Sequence, residues 1–171
     1  DVAWHRLAIP KAPAARLRAA LGGLLEEAVL EDVELLHFAL APDLGSGQTG
    51  WVASTHHGWL GATLAELEKA GTPVDRVVPL SAPATPAEGH FLPAAGHDEA
   101  LPRLVLCHPD GVACLTLAGS LAKALVSRID MTGVRWTSHP AATAAGERWV
   151  GTAVTVTTDA ERALRSARSA W

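Results

Sequence analysis

Leu35-Leu36-His37-Phe38-Ala39-Leu40-Ala41 and Trp51-Val52-Ala53-Ser54-Thr55 frame the run Asp43-Leu44-Gly45-Ser46-Gly47-Gln48-Thr49-Gly50. Two apolar, β-branched or aromatic stretches around so many turn-forming residues predict a β-hairpin. Upstream, Trp4 to Ile9 reads as a strand closed by Pro10 and Pro13. Leu17, Leu21, Leu24, Leu25 and Ala28 then recur at helical spacing and predict a helix from Ala14 to Leu30. Downstream, Leu60, Leu64 and Leu67 share one face of a helix from Gly58 to Ala70, with Gly71 as its stop, and Val74 to Pro79 reads as a short strand. The order is β-α-β-β-α-β, an α/β layout.

Composition narrows the function classes. The 171 residues carry 14 Lys and Arg against 18 Asp and Glu, a formal charge of −4, so there is no general attraction to nucleic acid or anionic lipid. With 49% hydrophobic and 19% charged residues the chain has the makings of a packed interior. No stretch approaches the roughly 18 to 20 apolar residues of a membrane span, and the start, Asp1-Val2-Ala3-Trp4, has no signal-peptide pattern. Met131 is the only methionine, so the chain reads as an excised piece of a longer protein.

Residues 81–102 turn to Pro, Ala and Gly, with only His90 to Leu92 resembling a strand, and divide a first α/β lobe (1–80) from a second (103–171). The second lobe predicts a hairpin of Arg103 to His108 and Val112 to Leu117, a helix near Ser120 to Arg128 and a strand at Val134 to Ser138. The Ala-rich stretch Pro140 to Ala145 is helical or loose, Thr152 to Thr158 is a strand, and a helix capped by Asp159 runs to Trp171. A three-residue loop, Pro109-Asp110-Gly111, would put Cys107 and Cys114 on opposite faces of the ribbon as free thiols.

Candidate chemistry is sparse. Asp43-Leu44-Gly45-Ser46-Gly47 has the Asp-x-Gly-Ser order of a phosphate-binding hairpin, but Pro42 replaces the apolar strand end that such a loop needs, and the composition is that of an ordinary turn. Among eight histidines only His56 and His57 adjoin, and their side chains diverge; His90, His97 and Asp98 fall in the Pro/Ala-rich segment without metal-ligand spacing. Ser120 lacks the Gly-x-Ser-x-Gly elbow and suits a helix N-cap. Glu26, Glu27, Glu31 and Asp32 gather at the unfavourable end of a helix dipole, beside Leu30 and Val33, and form the edge expected to accept a basic partner. Catalytic, cofactor and metal residues are therefore all expected to be none.

The segments taken together carry more. Trp4-His5-Arg6-Leu7-Ala8-Ile9-Pro10, Leu24-Leu25-Glu26-Glu27, Leu36-His37-Phe38-Ala39-Leu40, Trp59-Leu60 and Val74-Asp75-Arg76-Val77-Val78-Pro79 succeed one another in an order that resembles the cytoplasmic domain of type II secretion system protein L (GspL). The ending Ala167-Arg168-Ser169-Ala170-Trp171 is similar to the family's approach to its membrane helix, whereas the middle matches only by layout. His56-His57 stands where the family more often has an acidic or polar pair. The resemblance implies a partial actin-like (ribonuclease H-like) α/β scaffold of two lobes. It implies a non-enzymatic, cofactor-free platform component on the cytoplasmic side of the bacterial inner membrane, docking the N-terminal domain of the secretion ATPase GspE for protein export. Other inner-membrane platform proteins would be met through regions outside this chain, a homodimer stays open, and nucleic acid is not expected. The competing readings are an actin-like ATP-binding protein using Asp43 to Gly47 and a metal-dependent hydrolase built on the histidines.

Overall fold

Each half of the chain closes its own sheet. The computed structural model describes residues 2–42, 44–94 and 101–171. They divide into two compact units, Asp1–Pro79 with Ala170–Trp171, and Leu80–Ser169.

In the first unit β1 (Ala3–Ala8), β2 (Leu36–Leu40) and β3 (Thr49–His56) form an antiparallel sheet in the order β1-β3-β2. Arg6 lies opposite Trp51 and Phe38 opposite Ser54. Alternation along the strands sends Val52 inward, where it meets Ile9 and Leu21 of α1 (Ala14–Leu25) with Leu17, Phe38 and Leu40 around them. Arg18 reaches across from α1 and donates to the carbonyls of Glu34 and Leu36, at 3.0 and 3.1 Å, fixing the entry into β2.

Two expectations are corrected here. The first helix ends at Leu25 rather than Leu30, and Ala28 and Val29 close a turn by donating to the Leu25 carbonyl at 2.8 and 3.0 Å. Acids at the negative end of a helix dipole, followed by β-branched Val29 and Val33, oppose another turn of helix. Residues 74–79 join no sheet; Pro73 and Pro79 bound a segment whose first four residues are exposed, and Val77 faces solvent. α2 (His57–Lys69) follows β3 directly and buries no residue fully.

The second unit holds a mixed sheet in the order β6-β5-β4-β7-β8, with β4 Glu88–Leu92, β5 Arg103–His108, β6 Gly111–Thr116, β7 Arg135–Ser138 and β8 Thr155–Val156. β4, β5 and β6 are antiparallel, whereas β7 pairs parallel with both β4 and β8. β4 is thus the central strand of a sheet, within the stretch read as a connection. Phe91 from β4 is the largest fully buried side chain and packs with Leu104, Leu106, Val126, Ala142 and Val154, the rings of Trp136 and Trp149 standing 5.6 and 5.9 Å from its own. A β-carbon at Gly89 would collide with the Trp136 ring, and one at Gly146 would lie 2.6 Å from the Phe91 ring.

α3 (Leu121–Val126), α4 (Thr143–Val150) and α5 (Asp159–Ala167) complete this unit. α5 is capped by Thr158 rather than Asp159, through a reciprocal box in which Glu161 N donates to Thr158 Oγ1 and Thr158 N to Glu161 Oε2. The β5–β6 loop is the two-residue Pro109-Asp110, with His108 opposite Gly111. That shift of one place pairs Cys107 with Val112 and Cys114 with Val105, so both sulfurs lie on one face of the ribbon, and both thiols are free. His108 favours the tighter turn because its Nδ1 accepts from Asp110 N at 3.2 Å.

Candidate interaction surface

The loop that replaces the last turn of α1 overhangs one end of the first sheet and leaves a groove of about 490 Å3. Val2, Ala3 and His5 of the β1 side, Ala28 to Glu31 of the loop, Leu36, and Ser54 to His56 of β3 line it, so its floor is mostly apolar. His5 Nε2 lies 2.9 Å from Ser54 Oγ, and burial holds its pKa below the ordinary histidine value. Leu30, Leu24 and Leu35 stand exposed nearby in sequence, Leu30 completely so.

Of the four acids expected to meet a basic partner, Glu31 lines this groove, whereas Glu26, Glu27 and Asp32 are exposed outside its lining. Asp32 also holds local structure, its Oδ1 accepting from Glu34 N at 3.0 Å to start the 3-10 turn Val33–Leu35. Val33 is half-buried against Gly22. No ion pair among the described residues neutralises Glu26, Glu27 or Glu31.

The other candidates have structural occupations. His56 Nδ1 accepts from Trp59 N at 3.2 Å and caps α2, and His57 Nδ1 bonds the Leu35 carbonyl at 2.9 Å. In the glycine-rich loop Gly47 N donates to the Ile9 carbonyl at 2.8 Å and Gly45 N to Gln48 Oε1 at 2.6 Å, so amides that a phosphate would need are spent on the chain itself. Asp43, His97 and Asp98 lie outside the described residues. Ser120 occupies the N-cap position of α3 but makes no side-chain capping bond. Among the described residues no three His, Cys, Asp or Glu side chains gather at metal-binding distance, and no helix is long and apolar enough to cross a membrane.

One constellation escaped sequence reasoning. In the second unit, Ser81, His90, Cys107, Thr137, Arg162 and Arg165 share a cavity of about 70 Å3 beside α5. His90 is 5% exposed, its Nδ1 2.8 Å from Thr137 Oγ1. Burial first, and Arg162 second, hold its pKa down at about 4. Burial also raises the Cys107 thiol and lowers the Arg162 guanidinium. The spacing of these residues carries no signal, because only the sheet register and α5 bring them together.

These features define an α/β scaffold whose main open feature is an apolar, acid-edged groove. The solved cytoplasmic domain of EpsL, an inner membrane component of the type II secretion system of Vibrio cholerae, has the same fold: TM-score 0.52 over 92% of this chain and 60% of that one, at 20% identity. The fold class is therefore the actin-like α/β fold of that domain. A family model for type II secretion system (T2SS) protein L matches residues 1–102, and the chain belongs to that family. Type II secretion system protein L of Dickeya chrysanthemi is 38% identical over 79 residues, 46% of this chain and 19% of that protein's length.

Proposed function

We propose that this chain is the part of a protein L that receives the secretion ATPase GspE on the cytoplasmic side of the inner membrane, as a docking platform without catalysis or a cofactor of its own. The observation that carries the reading is the groove beside Leu30, an apolar floor with Glu31, unpaired among the described residues, at its edge and Glu26 and Glu27 close in sequence. A surface that joins an apolar centre to unneutralised charge suits a partner offering basic residues around an apolar anchor, steered by its field and held by burial. Family membership and the likeness to the cytoplasmic domain of an inner membrane component support the setting.

The test is calorimetric titration of the chain with the N-terminal domain of the cognate ATPase. Reversing Glu27 and Glu31 together to Lys is expected to weaken binding tenfold or more, about 1.4 kcal/mol, while the melting temperature holds, because exposed substitutions usually stay within about 0.5 kcal/mol. Unchanged affinity in an intact fold overturns this surface as the docking site.

A further inference from the structure

The cavity beside α5 has an unusual hydrogen ledger. Thr137 Oγ1 lies 3.2 Å from the Gly89 carbonyl, which only accepts, so the hydroxyl hydrogen goes there. The same oxygen lies 2.8 Å from His90 Nδ1 and must accept from it, so Nδ1 carries the ring hydrogen. Nε2 is then a bare acceptor in a neutral ring; it is buried, and no donor reaches it among the described residues. An unmet acceptor at such a place needs an occupant.

The other side of the same cavity is richer in donors than in acceptors. Arg162 is half-buried, yet among the described residues its side-chain bond is a long 3.4 Å donation to Ser81 Oγ and no carboxylate lies within ion-pair distance, Asp159 and Glu88 acting on it only from farther off. Arg165 lines the space as a second guanidinium. The carboxylate in the lining, Glu88, is already engaged by Arg135 at 2.6 Å. Cys107, whose thiol burial pushes up, adds no negative charge. Two arginines exclude a cation from the bare nitrogen. At about 70 Å3 the cavity exceeds the roughly 10–15 Å3 that one water needs.

We propose that this cavity binds inorganic hydrogen phosphate, with Arg162 and Arg165 on its anionic oxygens and its P–OH donated to His90 Nε2. The chemistry is specific: one small body must supply a hydroxyl donor and anionic acceptors together. Sulfate at neutral pH has only acceptors. The site belongs to the second unit and the ATPase surface proposed above to the first, so its success or failure leaves that reading untouched.

The experiment follows the side-chain nitrogens of the histidine-labelled full chain by NMR at pH 7 and constant ionic strength, with inorganic phosphate, sulfate and phosphoserine titrated separately. The His90 Nε2 resonance is expected to move with millimolar phosphate and much less with sulfate. Arg162→Met should raise the phosphate Kd at least tenfold, while Arg16→Met, in the first unit, leaves it unchanged. Should Arg162→Met fail to fold, exposed Arg165→Met takes its place, with a smaller rise expected. Phosphoserine, mostly a dianion without P–OH at pH 7, should move the resonance as little as sulfate does, and a response equal to that of phosphate would overturn the assignment. Equal shifts with sulfate and phosphate, no shift at all, or an Arg162→Met Kd like that of the parent chain would overturn it, leaving water in the cavity.

Discussion

In the unit built on β1 to β3, full burial in the central cluster is reached by Ile9, Leu21 and Val52, whereas the unit built on β4 to β8 gathers Phe91, Leu104, Leu106, Val126, Ala142 and Val154 with two tryptophans against them. Both leave apolar side chains outside: Leu30, which lines the groove, with Leu24, Leu35 and Trp59 in the first, and Leu121 and Leu164 in the second. The second keeps its unusual chemistry within, around His90. A thin core with an apolar-floored groove beside it is the profile of a module that completes its burial on a partner, while a thick core on one face of a sheet, with the polar cavity on the other, can be stable alone.

The largest break in that comparison is expected from Phe91→Ala. It removes a ring with no exposed surface from among rings and α4, and should cost about 3–5 kcal/mol, read by chemical denaturation, with faster amide exchange concentrated in residues 80–169. Leu21→Ala, in the thinner core, should cost about 2–3 kcal/mol, because its half-buried neighbours Leu17 and Phe38 have room to settle. Equal costs would mean that the two cores are equally tight.

Acid sharpens the contrast next. His90 has a folded pKa of about 4, below its ordinary 6.5, through burial first, then Arg162 and, more weakly, His139 and Arg165, with Asp159 opposing. The unfolded chain takes up the proton first, so the stabilising contribution is complete above pH 6.5 and is lost as pH falls from 6.5 through 4. The loss should reach about 2–3 kcal/mol in denaturation curves taken across that window, and His90→Gln should flatten it. His5 in the first unit is also lowered by burial and adds in the same direction.

The smallest effect separates two helix starts. Thr158→Ala dismantles the α5 capping box and should cost about 1 kcal/mol, whereas Ser120→Ala at α3, which has no capping bond to lose, should stay within about 0.5 kcal/mol in the same denaturation assay.

What sequence reading could reach follows from where the signals are local. Leu17, Leu21 and Leu25 announce α1, and Phe38 and Val52 announce the hairpin, because a repeating apolar face needs no knowledge of the partner it covers. Of β4, His90 to Leu92 resembled a strand, but its central place was hidden, because the reasons for Gly89 and His90 lie elsewhere in the chain: Trp136 over Gly89, Thr137 beside His90. The Cys107 register hung on which residue began the loop, a difference of one place that composition does not encode. Of the expected surface, Glu31 meets the groove directly, while the groove itself arises from the early end of α1, a boundary set by dipole and branching. The His90 cavity depends on α5 returning over the sheet, and no motif marks that.

The position of β4 also orders events in time. Its antiparallel partner β5 follows it closely, but its parallel partner β7 is distant: His90 and Thr137, neighbours across that pair, are 47 residues apart. On a ribosome adding about 5–20 residues per second, β4, β5 and β6 can pair while the other edge of β4 waits roughly 2 to 9 seconds for β7 to be made. During that interval a central strand behaves as an edge strand, open to pairing with a neighbouring chain. Nascent chains of this unit therefore have a window for misassembly that closes only when residues 135–138 arrive.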